Sequence, residues 1–111
     1  MPTIFEPKDL PVSDRNGVNI ATLANHAMLG TDALHVERVV LNEGAKSLSF
    51  EAADAERFVY VVRGNGQAHA SGQLFRLDAE SMLWLEKGEP FSLEAGTAGL
   101  EVLFCRAPAG E

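Results

Sequence analysis

A chain of 111 residues, 46% hydrophobic and 23% charged, makes one globular domain with its own core and leaves too little sequence for a second. Nine basic against sixteen acidic side chains give a net charge of −7. That balance argues against polyanionic partners, so neither nucleic acid nor an anionic membrane surface is expected. The single cysteine, Cys105, excludes an internal disulfide framework and a cysteine-rich zinc site. No run of about 18 apolar residues exists to span a membrane. The segment Met1-Pro2-Thr3-Ile4-Phe5-Glu6 lacks the basic and apolar regions of a secretion signal, so a cytoplasmic location is expected.

In chain order, residues 1–17 carry Pro2, Pro7, Pro11 and Gly17 and read as an extended arm with turns. Residues 18–30 fit two readings. Val18-Asn19-Ile20-Ala21-Thr22-Leu23 alternates like a strand, while Ala21 to Leu29 suits a short helix. From residue 33 the pattern is all-β, with runs at 33–41, 47–51, 57–63, 66–71, 73–77, 81–86, 90–95 and 99–105. Turn residues separate them: Asn42-Glu43-Gly44, Gly64-Asn65-Gly66, Ser71-Gly72, Lys87-Gly88 and Ala95-Gly96-Thr97. Residues 1–32 are then an arm and first strand, and 33–106 a small barrel or sandwich.

The run Arg57-Phe58-Val59-Tyr60-Val61-Val62-Arg63 is apolar on both faces, which predicts a central strand. Gly64-Asn65-Gly66 after it predicts a tight hairpin. Val102-Leu103-Phe104-Cys105 is of the same buried type, making Cys105 a core filler rather than a nucleophile. Trp84 shares one strand face with Met82, and Leu83 and Leu85 share the other; the pattern leaves open which face is inside.

Gly44, the strand after it and Arg57-Phe58-Val59-Tyr60-Val61-Val62-Arg63-Gly64-Asn65-Gly66 resemble the first motif of the cupin superfamily, G-x5-H-x-H-x(3,4)-E-x6-G. Residues 80–95, with Gly88-Glu89-Pro90-Phe91, resemble the second, G-x5-P-x-G-x2-H-x3-N. The resemblance covers roughly residues 33 to 106. It implies an all-β double-stranded β-helix, a jelly-roll-like barrel that is often dimeric. An open edge strand would favour the same homodimer. Many cupins bind one divalent metal through three His and one Glu. At those positions this chain has Phe50, Ala52, Arg57 and Phe91; the alternative spacing offers Glu56 for the Glu, with an interval to Gly64 one residue too long. Phenyl rings and a methyl group donate nothing to a metal, and a guanidinium repels it. No metal or other cofactor is therefore expected, and the family's metal-dependent activities do not carry over. His26, His35 and His69 show no H-x-H, H-x3-H or H-E-x-x-H spacing. His69, between Ala68 and Ala70, should face away from the barrel.

The resemblance turns Phe50, Ala52, Arg57 and Phe91 inward, and period-2 alternation adds Val59, Val61 and Leu93. A buried guanidinium needs an anion, several carbonyls or water. Arg57 is thus either held internally or anchors a carboxylate or phosphate ligand between the two rings. Three functions follow: a metal-free cupin binding a small organic molecule at Arg57, Phe50, Ala52 and Phe91; a cupin-type isomerase or lyase, of the sugar-phosphate isomerase kind, working through another site; or a structural dimeric barrel with a filled interior.

Overall fold

The computed structural model describes residues 4–6, 8, 10–31, 33–44, 47–51 and 53–107, with Arg15 and His26 as backbone only. The described chain forms β1 (Val12–Arg15), β2 (Val18–Ala24), α1 (His26–Leu29), β3 (His35–Leu41), β4 (Leu48–Phe50), β5 (Glu56–Ala70), β6 (Gln73–Asp78), β7 (Met82–Leu85) and β8 (Phe91–Ala107). All neighbours are antiparallel, in the order β1-β2-β3-β8-β5-β6, with β4 added to β8 and β7 to β5. The all-β expectation holds. Among the described residues no helix is long and apolar enough to cross a membrane.

Two long bent strands organise the fold. The C-terminal half of β8 lies between β3 and the first half of β5, while its N-terminal half lies between β4 and the second half of β5. The sheet therefore folds back on itself, and its inner faces meet. Val39, Leu41, Val59, Val61, Leu85, Leu100 and Val102 from one half pack with Ala68, Leu77, Phe91 and Leu93 from the other. Each large aliphatic side chain buried there contributes roughly 1.5–3 kcal/mol.

The hairpin predicted at Gly64-Asn65-Gly66 does not form; the chain runs on as one strand from Glu56 to Ala70. Positive φ at Gly64 (90°) is spent on a bend with register shifts at Val61/Arg63 and Gly64/Gly66. Opposite it, β8 bulges through Gly96 to Gly99, and the Asn65 side chain fills the bulge by accepting the Ala98 N–H at 3.1 Å. The glycines thus allow two backbones to approach at a barrel corner. By contrast, Ser71 and Gly72 (φ 52° and 72°) do make the expected two-residue turn between β5 and β6.

Residues 18–30 realise both readings in sequence. The strand runs through Ala24, and Asn25 then caps the four-residue α1 by accepting the Met28 N–H at 2.9 Å. Trp84 and Met82 point outward, 52% and 58% exposed, which answers the question of face; Leu83 and Leu85 turn to the core. His69 is exposed, as its alternation predicted.

Candidate functional site

Directly opposed residues on neighbouring strands share a face, so the register alone assembles a polar row at one end of the barrel. His35 on β3 lies opposite Arg106 on β8, and Arg106 lies opposite Arg57 on β5. One step deeper, Glu37, Phe104 and Val59 form the next row. Phe50 on β4 closes one side. Together His35, Glu37, Phe50, Arg57, Phe104 and Arg106, with Ser49, Glu51 and Ala53, line a cavity of about 560 Å³. Beneath it the barrel is apolar.

Arg57 is 2% exposed and is held by backbone carbonyls. Its Nη1 donates to the Glu51 carbonyl at 3.0 Å, and its Nη2 to the carbonyls of Glu89 and, at 3.4 Å, Glu86. Its guanidinium also lies 5.5 Å from the centre of the Phe91 ring. One side chain thus ties the segment after β4 to the β7–β8 turn. Burial pushes the guanidinium below its ordinary value, the Glu89 carboxylate works against that and Arg106 adds to it; a guanidinium stays charged regardless. The Glu89 carboxyl is itself held below the usual range, first by the Ser71 hydroxyl, then by the Glu86 N–H, with Arg57 adding a little.

Two donors remain unused. The Nε–H groups of Arg57 and of Arg106 are both buried without a hydrogen-bond partner, and both residues line the same cavity. Beside them His35 Nε2 lies 3.3 Å from Glu37 Oε2.

Of the residues named from the sequence, Phe50 and Arg57 line this cavity. Phe91 stacks on Phe50 at 4.4 Å between ring centres, and Phe50 on Phe104 at 4.8 Å, so Phe91 serves as wall packing behind Phe50. Ala52 lies outside the described residues. At the positions that the sequence resemblance matched to metal ligands, the described residues are two stacked phenyl rings and a cation over one of them, a donor set that does not fit a divalent ion. Among the described residues no group of three or more His, Cys, Asp or Glu side chains could hold one.

Sequence reasoning missed His35, Glu37, Phe104 and Arg106. The signal was present: alternation through His35-Val36-Glu37-Arg38-Val39-Val40-Leu41 puts His35 and Glu37 on the face of Val39 and Leu41. Cys105 is buried on the opposite face, and burial pushes its thiol up, away from thiolate reactivity.

A second, more open groove of about 520 Å³ runs past Ser49, His69, Ser71, Gln73 and Ser92. Register places Ser49, Ser92 and His69 in one outward row, and the groove shares Ser49, Phe50 and Glu51 with the cavity at the mouth.

No family model matches the sequence, and no curated protein matches it. Solved structures do. A predicted oxalate decarboxylase from Thermotoga maritima is 19% identical, with 96% of this chain and 99% of that chain covered and a TM-score of 0.81. An RmlC-like cupin from Shewanella frigidimarina is 18% identical, with 100% and 95% covered and a TM-score of 0.78. Pac13, a nucleoside dehydratase, is 13% identical, with 100% and 86% covered and a TM-score of 0.80. Identities this low speak to the fold alone, but they do so over the whole domain. The bent paired strands, the inward core and the polar mouth therefore belong to a chain that has the cupin fold.

Proposed function

We propose that this protein binds a small organic anion, without a metal, in the cavity at the mouth of its barrel. The observation that carries this reading is that Arg57 and Arg106 line one cavity and that, among the described residues, the buried Nε–H of each has no hydrogen-bond partner. A buried donor without an acceptor costs about 1–3 kcal/mol. A carboxylate or phosphate supplies the missing acceptors and offsets the paired positive charge. Arg57 and Arg106 share the cavity lining with Glu37 and Glu51, and the guanidinium groups supply its charged donors. Phe50 and Phe104 offer the ligand's body an apolar wall.

A second reading, an isomerase or lyase acting on the bound anion, is favoured by the contact between His35 and Glu37 inside the same cavity. Such a pair orients an imidazole for proton transfer. The likeness to Pac13, a nucleoside dehydratase, is compatible with a lyase reading and does not name a substrate for this chain.

Calorimetric titration with benzoate tests the proposal. Wild type is expected to bind it, and to do so unchanged in the presence of EDTA. Arg106→Met should weaken binding by about 10- to 100-fold, the equivalent of one charge-assisted hydrogen bond. Its melting temperature should stay near wild type, because among the described residues the Arg106 side chain makes no hydrogen bond or ion pair. Binding that is equal in Arg106→Met and wild type, or abolished by EDTA, would overturn the proposal.

A further inference from the structure

The cavity does not hold cations alone. Glu37 sits one row deeper than Arg106 on the neighbouring strand, a diagonal relation that lets two long side chains reach the same space. Yet among the described residues no ion pair joins them; the Glu37 carboxylate meets only His35, through Oε2 at 3.3 Å. A carboxylate carries about four acceptor positions, so most of the capacity of Glu37 is unspent. A bare organic anion lying against Arg106 would bind more weakly for the charge of Glu37 nearby. An anion that also carries a hydrogen-bond donor would not, since its donor would meet Glu37 while its acid group meets the arginines.

We infer that the ligand class is a hydroxylated carboxylic acid with an apolar body. The carboxylate takes the Nε–H donors of Arg57 and Arg106, a hydroxyl close to it donates to Glu37, and the body lies against Phe50 and Phe104. The inference rests on the anion-binding reading above and goes further by making Glu37 the residue that selects among acids.

Mandelate and phenylacetate differ by that one hydroxyl, and both can be titrated into wild type, Glu37→Leu and Glu37→Gln. Wild type is expected to prefer mandelate by at least fivefold. Glu37→Leu has no acceptor and no charge, so the preference should vanish, mainly because phenylacetate binds better than before. Should Glu37→Leu fail to fold, Glu37→Gln keeps an acceptor without the charge, and the preference should narrow, again through tighter phenylacetate. Equal binding of the two acids to wild type, or a preference that persists undiminished in the folded variants, would overturn the assignment of Glu37 while leaving anion binding intact. Failure of wild type to bind either acid would instead remove the anion reading itself.

Discussion

Gly64→Ala should lower stability by about 3–5 kcal/mol, summing the cost of a left-handed alanine with that of forcing atoms into a packed contact. Gly64 has φ 90°, and a β-carbon there would run into the Gly99 carbonyl oxygen, 2.9 Å from its carbon and 3.1 Å from the Leu100 Cα. Those atoms are backbone of β8 and cannot swing aside as a side chain end can. Gly72 is the matched control. It has a similar φ of 72°, but a β-carbon there meets nothing within 4 Å. Gly72→Ala should therefore cost only about 1 kcal/mol, the conformational part alone. At roughly 4–8 °C per kcal/mol for a domain near this size, thermal melts separate the two clearly. Similar melts for both would mean that the close approach of β5 and β8 is not what Gly64 provides.

Arg57→Met should cost about 2–4 kcal/mol, although methionine is the more comfortable residue in an apolar core. The bonds to the Glu51 and Glu89 carbonyls are charge-assisted, each contributing about 1.5–3 kcal/mol. Against that stands the relief of no longer burying a cation. The loss should exceed the relief, because the carbonyls belong to two separate segments, the one after β4 and the β7–β8 turn, which Arg57 joins alongside the bond from the Gly88 N–H to the Ala53 carbonyl at 2.9 Å. Arg106, one strand away in the same row, has no such bonds among the described residues, and its replacement should leave stability nearly unchanged. Chemical unfolding of both variants checks the contrast. Equal stability of Arg57→Met and wild type would remove the carbonyl clamp from this account.

The two arginines also show what was legible in the sequence. Alternation in 57–63 was enough to place Arg57, Val59 and Val61 on the inner face, and the burial of all three follows it. It could not say what holds Arg57, because the carbonyls come from positions 6, 29 and 32 residues away along the chain. Turn chemistry was read correctly at Ser71-Gly72 but not at Gly64-Asn65-Gly66. Positive φ serves a hairpin and a barrel corner equally well, and only the pairing of β5 with β8 on both sides of the bend distinguishes them. Motif positions directed attention to Phe50 and Phe91, which turn out to stack on each other. His35, Glu37 and Arg106 stand outside the motifs, and only the β3–β8–β5 register brings them together.

A crystal structure of the protein grown with saturating mandelate tests the central claim most directly. The account predicts the carboxylate within hydrogen-bond distance of the Nε atoms of Arg57 and Arg106, the hydroxyl toward Glu37, and the ring against Phe50 and Phe104. Mandelate bound instead in the outer groove beside His69, or a mouth holding only water at that concentration, would contradict it.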